Sequence, residues 1–115
     1  MKAQAVIRSA RRLLSDDNEG QERWDNDALL TYLSDAQRRL LMARPDLRLL
    51  VDGTVADPVE VDDMEDDLLV GEDWREALAA GVAAAALDED DFDGNARKAV
   101  YFRQLFERHL GGGGR

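Results

Sequence analysis

The chain has 115 residues and no cysteine, which fits one domain with a modest core and excludes both a disulfide framework and a thiolate metal site. Its formal net charge is -10, and the charge is unevenly placed: residues 49–94 carry sixteen acidic side chains against Arg75 alone, whereas the sign reverses after residue 95. Such a middle repels nucleic-acid phosphates and argues against a sequence-reading DNA binder. No apolar run approaches a membrane span, and no uncharged apolar core suits a signal peptide.

The first predicted helix covers 2–14, because Ala3, Val6, Ile7, Ala10, Leu13 and Leu14 form one stripe. Its arginines, Arg8, Arg11 and Arg12, would suit a membrane surface, but the stripe is what bundle packing also needs, and no Trp or Phe anchors it. Packing is the favoured reading. Residues 15–23, rich in Asp, Asn and Gly, read as a connection. The second helix is entered at Trp24 and Asp25, where Asp25 is a cap and Trp24 an apolar staple on the first turn. Leu29, Leu33, Ala36, Leu40 and Ala43 recur on one face with Tyr32 at its flank, and Pro45 ends the element at Arg44.

Residues 47–71 form an insertion. Within it, Asp52-Gly53 between apolar residues suggests a short β-hairpin, since Asp-Gly supplies the positive φ of a tight turn. Residues 57–73 hold nine acids and no base, which reads as an exposed loop. The third helix starts at Glu72 or Asp73 and runs to Leu87, with Trp74, Leu78, Val82 and Ala85 on a face and Ala77, Gly81 and Ala84 as a small-residue strip for close helix approach. The fourth covers 95–110, striped by Ala99, Phe102, Phe106 and Leu110, with Tyr101 and Leu105 beside it. Glycines 111–114 stop it and leave a flexible tail ending in Arg115. The expected fold is all-α: one domain over 1–110, a small antiparallel four-helix bundle with a hairpin or loop insertion.

Chemistry is hard to place on this chain. The acidic corner sets Glu89, Asp91 and Asp93 at calcium-loop positions one, three and five, but Val100 stands where a bidentate Glu must close the shell and Arg97 where a ligand is wanted. A helix connection is the better reading. His109 is the single imidazole and has no second His or Cys with which to build a catalytic pair or zinc site; it suits the last turn of a helix. Ser9, Ser15 and Ser34 lack a nucleophile context, and no glycine-rich phosphate loop is present. Neither a catalytic residue nor a cofactor is expected. Seventeen of the twenty-five acids are Asp and only Lys2 and Lys98 are lysines, a bias shared with proteins of salt-loving organisms and with GC-rich genomes.

The segments VIRSARRLLSD and RWDNDALLTYLSDAQRRLLMARPD resemble the head-to-tail adaptor proteins of tailed viruses. The residues carrying the likeness are Trp24, Asp25, Leu29, Leu30, Tyr32, Ser34, Asp35, Ala36, Gln37, Arg44, Pro45 and Asp46. GEDWREALAAGVAAAAL and DGNARKAVYFRQLFERHLGG extend it to the second half. The middle is shorter than in relatives with a strand-rich insertion, and Ser34 stands where Asn is common.

What the resemblance implies is a virion protein, assembled in the host cytoplasm as a dodecameric ring under the portal protein, which extends the DNA channel to the next tail or head-completion protein. Candidate subunit or portal contacts are then Arg38, Arg39, Arg44, Arg108, Leu110 and Arg115. Asp62, Asp63, Glu65, Asp66 and Asp67 become an acidic loop facing the channel, past which genomic DNA moves without sequence-specific binding. A different class is also open: a small acidic regulatory or antitoxin-like protein that binds a basic partner or mimics nucleic acid through residues 57–73.

Overall fold

The first two helices begin where their first-turn N–H groups find an acceptor. The computed structural model describes residues 1–16, 22–50, 52–57, 60–89 and 95–112, and is mostly helical, with four α-helices and no strand among the described residues. Helix α1 spans Ala3–Leu13 and lacks a side-chain cap. Its Ala3 and Gln4 N–H groups instead donate to the carbonyls of Asp66 and Met64 at 2.8 and 2.9 Å, so the distant insertion caps it. The tie is reciprocal, because the Leu68 N–H donates to the Met1 carbonyl at 2.8 Å and Lys2 Nζ to that of Glu65 at 3.0 Å.

Helix α1 ends in a Schellman motif. The Ser15 N–H donates to Arg12 and the Asp16 N–H to Arg11, with Ser15 at φ 55° in the left-handed region where glycine is usual. Ala3, Val6, Ile7 and Ala10 are buried, so its apolar stripe is spent on the core. Helix α2 spans Asn26–Ala43 and is capped as expected, the Ala28 N–H donating to Asp25 Oδ1 at 2.8 Å. Its buried face is broader than the stripe, adding Leu30, Ser34, Gln37 and Leu41, whereas Ala43 is exposed. A 3-10 turn, Pro45–Arg48, follows.

Trp24 is half-buried. It packs beside Leu13 and Leu14 where α1 meets the second helical pair, with the Arg23 guanidinium 5.2 Å above its ring. In the insertion, Leu49 and Val55 make one isolated antiparallel bridge. The Leu50 N–H donates to the Thr54 carbonyl, and Gly53 has φ 88°, the positive angle that Asp-Gly was expected to supply. The Ala56 N–H donates to the Arg48 carbonyl at 2.8 Å, and among the described residues the pairing goes no further. The acidic run is held down more than its composition suggests: Val61, Leu68 and Val70 are buried in the core.

A 3-10 turn, Glu72–Trp74, leads into α3, Arg75–Asp88, so the regular helix begins later than expected. Every residue from Ala77 to Ala84 is buried, and α3 packs against α1, α2 and α4. The expected one-sided face is therefore too narrow; α3 is apolar nearly all round and lies inside the molecule. Gly81 marks its closest approach, since a Cβ there would sit 3.1 Å from the Phe106 ring and 3.2 Å from Ala36 Cβ. Helix α4 spans Asn95–Gly112 and buries Ala99, Phe102 and Phe106. It continues through Gly111 and Gly112 instead of stopping at Leu110, and the rest of the expected tail, with Arg115, lies outside the described residues. The acidic corner at 90–94 does also. The molecule measures 46 × 29 × 18 Å.

Candidate functional site: an arginine-lined cleft beside an acidic insertion

Arg38 and Arg39 of α2 and Arg44 at its C-cap meet different partners within the chain. Arg38 turns to Asp35 at 2.8 Å and across to Glu60 of the insertion at 3.2 Å. Arg39 lies over Phe106, 5.2 Å from the ring centre, and 3.7 Å from Glu107 on α4. Arg44 grips Asp46 with two hydrogen bonds, at 3.2 and 3.1 Å, and stacks over Trp74 at 5.3 Å. That grip holds the Asp46 carboxyl below the usual carboxylate range. The candidate contact residues on α2 thus form no single outward patch. Leu110 is half-buried against the core, and Arg108 is exposed on α4.

The five candidate acids divide similarly. Asp62, Asp63, Glu65 and Asp67 are exposed, but the Asp66 carboxylate turns back to accept the N–H groups of Asp62 and Asp63 at 3.0 and 3.1 Å. It builds the turn that presents the others. Asp67 lies 3.5 Å from Lys2, while Asp62, Asp63 and Glu65 have no ion pair among the described residues.

Two residues of α2 place this segment. Ser34 Oγ accepts the Val61 N–H at 2.7 Å and donates to the Val61 carbonyl at 3.2 Å; one turn on, Gln37 Oε1 accepts the Leu69 N–H at 3.1 Å. Both side chains are buried, so the insertion is fixed to the helix at two points. Ser34 and Gln37 were legible as part of a family-like pattern but not as anchors, because their partners lie 27 and 32 residues away. The connection hides a similar surprise. Asp16 is 6% exposed and accepts Arg11 Nη1 at 2.7 Å, the Arg23 N–H at 2.6 Å and the Trp24 N–H at 3.3 Å, so it joins the end of α1 to the start of α2.

Two concavities flank the insertion. On the α1 side, a cleft of about 360 Å³ has Ile7 and Met64 among its walls, with Gln4, Arg8, Arg11 and Arg12 around them and Glu22 as the acid at its rim. Arg8 and Arg12 are exposed and have no ion pair among the described residues, whereas Arg11 is held by Asp16 and Asn26. On the α2 side, a hollow of about 350 Å³ is lined by Gln37, Val61, Leu69 and the acids Glu60, Asp62, Asp66 and Asp67. The arginines were visible in the sequence; their cleft was not, because its far wall is Met64.

Among the described residues no group of three His, Asp or Glu is arranged to hold a metal ion, and no described helix is long and apolar enough to cross a membrane. Glu89, the first position of the calcium-like spacing, accepts the Tyr32 hydroxyl at 2.7 Å. The arrangement offers ionic and hydrogen-bonding surfaces of both signs, separated by one anchored segment. No protein-family model, curated protein or solved structure matches the chain.

Proposed function

We propose that the chain is a structural virion protein, a head-to-tail adaptor that assembles as a dodecameric ring beneath the portal and extends the DNA channel toward the tail. In this reading it performs no catalysis and needs no cofactor. Its helices form an antiparallel bundle, with residues 47–71 as a hairpin-bearing insertion. The observation that carries the reading is the role of the family-like residues: Asp25 caps α2, Ala36 permits the approach of α3 at Gly81, and Ser34 with Gln37 anchors the insertion. These residues build a frame that presents a loop. An inward-facing Asp62, Asp63, Glu65 and Asp67 would give passing DNA a wall that does not bind phosphate.

Negative-stain imaging and mass measurement of the chain with its portal test this directly. A ring on the portal is the expected result; a stable monomer that ignores the portal refutes it. The second reading, a small acidic regulatory or antitoxin-like protein, is favoured by the exposed carboxylates of Asp62, Asp63 and Glu65 on an anchored segment. Tight one-to-one capture of a basic protein, without ring formation, would select it.

A further inference from the structure

We propose that the arginine cleft on α1 is the docking site for the acidic edge of the insertion of a second copy of this chain, so that copies join head to tail. The inference rests on the self-assembling reading above and names the contact that reading leaves open. Its first support is charge. In a chain of net charge -10, Arg8 and Arg12 stand one helical turn apart on an exposed face without an ion pair among the described residues. Asp62 and Glu65 are exposed and equally without one; in this contact they face the neighbouring copy, and the channel wall is left to Asp63 and Asp67. Within the chain each set lacks what the other supplies.

The second support is placement. The cleft opens between α1 and Met64, whereas the acidic hollow opens between Gln37 of α2 and residues 60–69. One segment therefore carries a basic recess on one flank and an acidic recess on the other. Surfaces that are complementary in charge but not identical give a heterologous contact, here between the cleft and the exposed edge that carries Asp62 and Glu65, which propagates from copy to copy and closes into a ring when the rotation allows. Half-buried Met64 in the cleft wall gives the contact an apolar component, so that the ion pairs are partly shielded from water where they form.

Charge reversal tests the contact on the full-length chain. Arg8→Glu with Arg12→Glu, and separately Asp62→Lys with Glu65→Lys, are each expected to weaken self-association by about tenfold or more in sedimentation, and added salt should weaken the wild type similarly. Mixing the two double variants should restore assembly, because the reversed cleft of one then faces the reversed edge of the other. A misfolded variant would give no such rescue, and circular dichroism checks helicity independently. Assembly on the portal that is indifferent to both reversals overturns the contact and leaves the adaptor reading standing. Salt-sensitive oligomers abolished by the reversals and restored by mixing, but which never engage a portal, support the contact and remove the adaptor reading. A wild-type chain that stays monomeric at every ionic strength, with and without portal, overturns the contact.

Discussion

Removing the carboxylate of Asp16 would take from the Arg11 guanidinium its ion pair, leaving it the Asn26 hydrogen bond, and remove an acceptor of the Arg23 and Trp24 N–H groups, in a region where Asp16 and Arg11 side chains are only 5% and 12% exposed. A buried pair broken from one side costs about 3 to 5 kcal/mol, whereas an exposed helix pair such as Asp35–Arg38 contributes about 0.3 to 0.5. Asp16→Ala should therefore lower stability by about 3 kcal/mol in urea denaturation, and a loss below about 1 would refute the bridging role. Tyr32 gives a pH-dependent counterpart. Burial first, then its hydrogen bond to Glu89, pushes its pKa up to about 12 from 10.0. The folded form thus holds the phenolic proton longer than the unfolded form, so the stabilisation is complete below pH 10 and fades as pH rises through 12. Denaturation of the wild type and of Tyr32→Phe across that window should show the wild type losing its advantage; parallel curves would contradict the assignment.

Ser34 and Gln37 turn α2 into the support of an insertion that composition describes poorly. The cap at Asp25 and the stop at Pro45 depend on neighbours within a few residues and were legible in the sequence. The burial of Val61, Leu68 and Val70 was not, because acids surround them and the groups that hold them belong to α1 and α2. Charge density described the exposed side chains and missed the backbone. Ser34→Ala removes both hydrogen bonds to Val61 and leaves its buried N–H and carbonyl unpaired. The expected cost is about 1 to 3 kcal/mol, with faster hydrogen exchange at the Val61 amide. An unchanged exchange rate would mean that Ser34 does not anchor the segment. Helix α3 exceeds its expected single face for a related reason: periodicity assigns a helix one apolar face, whereas alanines on every side are covered here by three neighbouring helices.

Across the whole molecule, like charge accumulates where pairing is sparse. Asp62, Asp63 and Glu65 lie close in sequence without basic partners among the described residues, whereas Arg38, Arg39 and Arg44 are all engaged. That dispersal was invisible in the sequence, which records that Arg38, Arg39 and Arg44 are off the apolar stripe but not where each reaches. Screening the unpaired acids should outweigh the small loss from exposed pairs, so the melting temperature is expected to rise with sodium chloride; a flat or falling dependence would remove the case for a salt-adapted surface. The enclosed position of α3 also has a consequence for the order of synthesis. Helices α1 and α2 and the insertion leave the ribosome before α3, against which both helices pack, so the early chain lacks the helix that completes their shared core. A chain ending at Trp74 should show no cooperative thermal transition, and one appearing would mean that the first half folds alone. Residues 75–88 are in this sense a timing element: the core is expected to close only once they arrive.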